Sequence, residues 1–118
     1  MLSPVAADHV QRIRNLGPLA GATHRGQSGT PGDGPYTIIE LKIENDVVRQ
    51  AAYQANGCPS SIAAASMVAN IAQNRAIALL RLLEARDVIL ILGGLPEGKE
   101  SAAERAVLAL HNALRVNA

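Results

Sequence analysis

The chain has 118 residues, of which 48% are apolar and 2% aromatic, with neither Trp nor Phe. This length predicts a single domain over residues 1–118, with a core built from Ala, Val, Ile and Leu. A net charge of +1 without a run of either sign argues against a nucleic-acid-binding surface, and no stretch approaches the ~20 apolar residues of a membrane span.

The first third of the chain predicts a short helix followed by a glycine-rich segment. Ser3 and Pro4 are typical of an N-cap and a first helical position, and the helix is expected to run to about Asn15. Residues 17–35 hold six of the ten glycines. This segment is either a long loop or an edge strand between loops.

Alternating polarity from Tyr36 predicts a strand, and a turn at Glu44-Asn45-Asp46 leads to a second strand from Val47 to Ala55. The two strands are expected to form an antiparallel hairpin.

After Pro59 the pattern is helical, and four helices are predicted. The first ends near Asn74, the second spans 77–83, and the third begins with Asp87 as N-cap and runs to Leu92. The last follows Pro96 and presents one apolar face, formed by Ala103, Val107, Leu110 and Leu114. The order of elements predicts an α+β fold, in which a small antiparallel β-sheet of two to three strands has helices packed on one face.

Cys58 is the only cysteine, and it lies where a strand is predicted to pass into a helix. The first turn of a helix has unpaired amide donors and a partial positive charge, and both favour a thiolate. One cysteine without an export signal fits a reducing cytoplasm. Two roles are open for Cys58: a reactive thiolate, or a small half-buried side chain that fits behind Gly57.

Four short segments, spread in order along the chain, carry a combined resemblance. They are Asp8-His9-Val10 with Arg14-Asn15-Leu16-Gly17, then Thr30-Pro31-Gly32-Asp33-Gly34-Pro35, then 57–67 from Gly57-Cys58-Pro59 onward, and finally Gly93-Gly94-Leu95-Pro96-Glu97-Gly98-Lys99. Together they resemble the NifU-like, IscU-type iron–sulfur cluster assembly scaffolds. The resemblance implies a fold like that of the NifU N-terminal domain and a scaffold rather than an enzyme.

The resemblance also implies a metal site, with an incomplete set of ligands. Members of the family hold an iron–sulfur cluster or a zinc ion with three cysteines, helped by an Asp and a His. Only Cys58 matches a family cysteine, while Asp33 stands at or beside the first cysteine position and Ser101-Ala102 replaces the His-Cys pair. Clusters are held mainly by thiolates, typically about four, so Cys58 with Asp33 is expected to be too few for a stable cluster. Asp33 has the alternative role of a plain turn residue.

The three histidines are weaker candidates. His9 matches a family position that is not a metal ligand, so a structural role is expected. His24 lies in the glycine-rich segment, where it either swings toward Cys58 as a ligand or stays in solvent. His111 is expected on the surface, within a polar group formed by Glu104, Arg105, Asn112 and Arg115.

These residues predict a degenerate scaffold-like protein, one that holds no stable cluster alone and acts through partners. By resemblance, the partners are a cysteine desulfurase and an Hsp70-type chaperone. Leu95, Pro96 and Lys99 match the segment that binds the chaperone, and the alternative is a plain helix-boundary linker. The implied cofactor is an iron–sulfur cluster, iron or zinc, or none. Two further functions are open: a persulfide carrier that uses Cys58, and a metal-free homodimeric interaction module. A cysteine-nucleophile enzyme is not expected, because no histidine is placed to act as its base.

Overall fold

The computed structural model describes residues 1–115, which form five helices and three strands. In chain order they are α1 (Pro4–Gln11), β1 (His24–Ser28), β2 (Tyr36–Glu44), β3 (Val47–Asn56), α2 (Pro59–Ala72), α3 (Ile77–Leu80), α4 (Ala85–Ile91) and α5 (Glu100–Arg115). Within the described part of the chain, no helix has both the length and the apolar character needed to cross a membrane.

The three strands form one antiparallel sheet in the order β1-β2-β3. The predicted hairpin of β2 and β3 is confirmed, and Asn45 and Asp46 join the strands with φ angles of 52° and 61°. Both central residues of a tight hairpin turn need positive φ, which Asn and Asp tolerate better than other non-glycine residues. Within the glycine-rich segment the edge-strand alternative is correct, because β1 pairs with β2 alone.

Two long helices cover the sheet. Helix α2 packs against β3 and β2, and α5 packs against β1 and β2. Because α2 and α5 also contact each other, they lie on the same face of the sheet, which confirms the predicted α+β arrangement. The predicted apolar face of the last helix is confirmed as well, since Ala103, Val107, Leu110 and Leu114 are all buried.

Three local predictions are wrong. Helix α1 ends at Gln11 rather than near Asn15, and the chain continues through Asn15 and Gly17, which hydrogen-bond to Tyr53 at the free edge of β3. The predicted second helix is only the four-residue α3. Asp87 is not an N-cap: Glu84 holds that position, and the Asp87 carboxylate accepts a hydrogen bond from the Glu84 amide at 2.9 Å.

Candidate functional site

Cys58 lies between the last residue of β3 and the first residue of α2, as predicted. It is the N-cap residue of α2, its backbone is extended, and its side chain is half-buried. Gly57 precedes it with a φ of 144°, a conformation that favours glycine. A Cβ atom at this position would lie 2.7 Å from the Ser61 hydroxyl, so the turn before Cys58 requires glycine for space as well.

A buried serine and a half-buried arginine lie beside the sulfur. The Ser61 Oγ atom is 3.9 Å from Cys58 Sγ, and Arg105 of α5 donates a hydrogen bond from Nη2 to the same oxygen at 3.0 Å. Ser61 is only 1% exposed. The Arg105 Nε atom is buried and has no hydrogen-bond partner among the described residues. Cys58, Ser61 and Arg105 together form the sulfur site.

The surroundings of Cys58 act on its acidity in opposite directions. Burial raises the pKa of the Cys58 thiol, whereas hydrogen bonds from the Ser61 and Ser60 amides, the Ser61 hydroxyl and the charge of Lys99 lower it. The lowering contributions together are larger, so the pKa lies below the ordinary value of a cysteine. A helix start that offers amide donors to a sulfur stabilises the thiolate, the form that reacts with electrophiles and metals.

Asp33 lies in the loop between β1 and β2 and is exposed to solvent. Its amide donates to the Thr30 carbonyl at 2.9 Å, and Gly32 between them has a φ of 88°. With Pro31 at the second position, these are the features of a type II turn. The loop reaches the sulfur site through Pro35, whose Cβ lies 3.4 Å from the position of a Cβ on Gly57.

The positions that match the family's His-Cys pair lie at the start of α5. Ser101 is exposed and Ala102 is 2% exposed. Within residues 1–115 no group of three or more His, Cys, Asp or Glu side chains is placed to hold a metal ion. The donor set around Cys58 is therefore one sulfur with hydroxyl and amide neighbours, which does not match the several thiolates of a cluster site.

The histidines are used elsewhere in the fold. His9 is 3% exposed, and its Nδ1 is 2.7 Å from Ser66 Oγ of α2, which confirms a structural role. His24 begins β1 opposite Leu41. Five strand positions separate Leu41 from Tyr36, the residue that pairs with Asn56, so His24 lies about 15 Å or more from Cys58 and its role as a ligand is ruled out.

Three residues that the sequence placed on a polar surface, His111, Arg105 and Asn112, are partly buried instead. His111 Nε2 lies 3.2 Å from the Leu80 carbonyl, so His111 links α5 to α3. Arg105 points to Ser61. The sequence does contain a signal for Arg105, because it follows Ala102 by three positions and precedes Ala109 by four, and both alanines belong to the buried face of α5.

The remaining predicted residues form the connection between α4 and α5. Leu95 and Pro96 are half-buried, and Lys99 is exposed. The Lys99 amide donates to the Pro96 carbonyl at 3.0 Å, which closes a turn just before α5. The charge of Lys99 in this connection contributes to the lowered pKa of Cys58.

The chain is similar to known proteins over most of its length. The model of the NifU-like N terminal domain family matches residues 1–116. The chain is 33% identical over 110 residues to the iron–sulfur cluster assembly scaffold protein IscU of Aquifex aeolicus. This match covers 92% of the chain and 70% of that protein. It is 34% identical over 112 residues to the bifunctional protein NifU/MnmA of Rubrobacter xylanophilus, and there the match covers 93% of this chain but only 23% of that longer protein.

Among solved structures, the N-terminal part of a nitrogen-fixing NifU-like protein from Brucella abortus superposes with a TM-score of 0.66 at 20% identity. The match covers 96% of this chain and 91% of that one, and at this identity it shows a shared fold. Because the family model spans nearly the whole sequence, the chain belongs to the NifU-like N-terminal domain family.

Proposed function

We propose that this protein takes part in iron–sulfur cluster assembly as a scaffold-like protein that holds no stable cluster alone and acts through its partners. Membership of the family and the name of the Aquifex aeolicus relative support the assembly role. One observation carries the rest of the proposal: Cys58 is the only thiol in the chain. In this proposal the iron and sulfide of a cluster are the cargo of assembly, not a resident cofactor.

The chemistry of the available side chains supports a protein that does not retain a cluster by itself. Iron–sulfur clusters need several thiolates, and carboxylate oxygens suit harder metal ions. Asp33 is exposed in its turn, and the Ala102 side chain offers no donor atom. The protein is not an enzyme in this proposal, because His9, His24 and His111 each have another place in the fold and none stands beside Cys58 as a base.

Partner binding is tested with the cysteine desulfurase of the same organism. We expect the two proteins to form a complex in size-exclusion chromatography with light scattering. Cys58→Ser should still form the complex, because binding depends on the surface of the fold rather than on the sulfur. A mixture that elutes as two separate proteins would contradict the proposal.

Chaperone binding is assigned to Leu95, Pro96 and Lys99 in this proposal. Replacing the three with alanine is expected to weaken binding to the organism's Hsp70-type chaperone while desulfurase binding is unchanged. Glu97→Ala is the matched control, since Glu97 is exposed in the same connection. If the triple variant and the control bind the chaperone with equal affinity, the segment is only a linker between helices.

A second function, sulfur carriage, is favoured by the lowered pKa and partial exposure of Cys58. In this reaction the Cys58 thiolate attacks the outer sulfur of a persulfide on the desulfurase. A new sulfur–sulfur bond forms on Cys58, the sulfur–sulfur bond of the donor breaks, and the donor cysteine leaves as a thiolate. Only one activated thiolate is needed on the acceptor.

Intact-mass measurement distinguishes the carrier function. The chain is incubated with desulfurase and cysteine without oxygen, and the expected product has gained sulfur on Cys58. Cys58→Ser should gain none. If the wild-type chain also gains no sulfur while it still binds the desulfurase, the carrier function is wrong and the partner-binding function stands.

A further inference from the structure

We infer that Arg105 is a positioning residue for Cys58, and that it acts by fixing the direction of the Ser61 hydroxyl. This inference rests on the proposed function and deepens it, since it concerns the same sulfur. Arg105 is not among the residues that match the family's motifs. The inference follows from the hydrogen-bond donors and acceptors of Cys58, Ser61 and Arg105.

The contact between Arg105 and Ser61 has only one possible direction. A guanidinium group has donors and no acceptor, so Arg105 Nη2 donates to Ser61 Oγ at 3.0 Å. Ser61 accepts with one lone pair and keeps its own hydrogen. A buried hydroxyl of this kind stabilises the fold only if its hydrogen also finds a partner.

Cys58 is the acceptor that the geometry offers to this hydrogen. The described residues give the Ser61 hydroxyl two side-chain neighbours, Arg105 Nη2 and Cys58 Sγ, and the sulfur lies 3.9 Å away. Without Arg105 the hydroxyl could turn, accept from the thiol or donate to a backbone carbonyl of the preceding turn, as helical serines commonly do. With Arg105 in place, the hydroxyl donates to the sulfur.

The two cations near the sulfur therefore act in different ways. Lys99 is exposed and acts on Cys58 through its charge. Arg105 is half-buried, contacts Ser61 rather than the sulfur, and forms no salt bridge among the described residues. This difference gives the inference a signature, because the effect of Arg105 should disappear when Ser61 is absent and the effect of Lys99 should not.

A double-mutant cycle measures that signature in the purified protein. The observable is the rate constant for alkylation of Cys58 by iodoacetamide at neutral pH. We expect Arg105→Met and Ser61→Ala each to slow alkylation by about three- to tenfold, the effect of losing one ordinary hydrogen bond. The double variant Ser61→Ala/Arg105→Met should be no slower than Ser61→Ala alone.

Three further variants separate positioning from charge and from folding. Arg105→Lys keeps a donor and should retain most of the wild-type rate. Lys99→Met should slow alkylation by the same factor with and without Ser61. Arg115→Met removes a charge from an exposed position on the same helix and should leave the rate unchanged. Circular dichroism and the urea midpoint of each variant report whether it is folded.

The result that would overturn the inference is an Arg105→Met effect of equal size in the wild-type and Ser61→Ala backgrounds. An unchanged rate in a folded Arg105→Met variant would overturn it too. Both outcomes are independent of the desulfurase experiments. A chain that binds no desulfurase can still show the predicted cycle, in which case the proposed function fails and the positioning role remains.

Discussion

Part of the environment of the Cys58 sulfur comes from residues that are close in sequence. Gly57 supplies a backbone conformation that places Ser61 against the turn, and the amides of Ser60 and Ser61 lower the pKa of the Cys58 thiol. A side chain at position 57 would occupy the space of the Ser61 hydroxyl. The site therefore requires glycine at position 57 as well as the sulfur of Cys58.

Gly57→Ala tests this dependence. The φ of 144° disfavours alanine, and the added Cβ would lie 2.7 Å from Ser61 Oγ. We expect the free energy of unfolding to fall by about 1–3 kcal/mol and the alkylation of Cys58 to slow severalfold. Gly21→Ala is the control, because Gly21 has a φ of 76° but no atom within 4 Å of an added Cβ. A Gly57→Ala protein that matches this control in alkylation rate would contradict the role of the glycine.

His9 gives the fold a predictable pH dependence. Burial lowers the pKa of His9 below its usual 6.5, with the positive charge of Arg14 acting in the same direction. The folded protein therefore binds this proton less readily than the unfolded chain does. The stability that neutral His9 provides is fully present above pH 6.5 and is lost as the pH falls through the folded pKa.

Urea unfolding of the wild type and His9→Asn across this range checks the prediction. The wild-type midpoint should fall as the solution is acidified from neutrality, and the midpoint of the variant should fall much less. Asp8 titrates in a separate, more acidic range, since its hydrogen bond with Arg14 lowers its pKa below 3.8. If the urea midpoints of the wild type and His9→Asn fall in parallel as the pH is lowered, His9 is not the source of the pH dependence.

At the scale of elements, β1 and α5 pack in close contact. Gly26 lies in the middle of β1, and a Cβ there would be 2.1 Å from the Ala109 carbonyl oxygen and 2.2 Å from the Ala113 nitrogen. The alanines of α5 and this glycine allow the helix backbone to approach the strand directly. Asn112 adds a hydrogen bond to the Gln27 carbonyl at 2.9 Å.

Gly26→Ala should therefore be among the most damaging single changes. The clash is with backbone atoms, which cannot rotate away, so we expect a loss of about 3 kcal/mol or more in the free energy of unfolding. Gly17→Ala is the matched control, because its nearest neighbour at 3.1 Å is the flexible end of the Glu40 side chain. Equal urea midpoints for the two variants would contradict the close packing of β1 on α5.

The hairpin and the last helix were predictable because their signals are local. Alternation marks β2, the Asn45-Asp46 pair marks its turn, and the apolar spacing of α5 identifies its buried face. The end of α1 was not predictable. Residues 15–17 do not continue the helix, because Asn15 and Gly17 hydrogen-bond with Tyr53, a partner distant in sequence. The N-cap of α4 was missed because Asp87 fits two positions of a capping box equally well by residue type.

The candidate site was predictable only in part, for a related reason. The position of Cys58 before Pro59 is a local pattern, and the structure confirms it. The pairing of Arg105 with Ser61 joins residues 44 positions apart, and no pattern in the sequence reports a contact between two helices. The ligand alternative for His24 could be judged only with the register of β1 and β2, which places His24 at the far end of the strand pair from Cys58.

At the scale of the whole molecule, our proposal combines the family's architecture with a reduced set of ligands. Family membership covers residues 1–116, and the fold matches a NifU-like structure over nearly its full length. In this proposal the positions that correspond to the family's other cysteines hold Asp33, which is exposed in a turn, and Ala102, which is buried. We propose that this fold binds partners and offers one activated sulfur without retaining a cluster.

Native mass spectrometry under anaerobic conditions tests this proposal. The chain is incubated with ferrous iron, cysteine and the organism's cysteine desulfurase, then separated from the enzyme and measured beside Cys58→Ser. We predict a wild-type chain that carries added sulfur on Cys58 but no iron, and a variant that carries neither. An isolated wild-type chain that keeps stoichiometric iron and sulfide as a stable cluster would contradict the proposal.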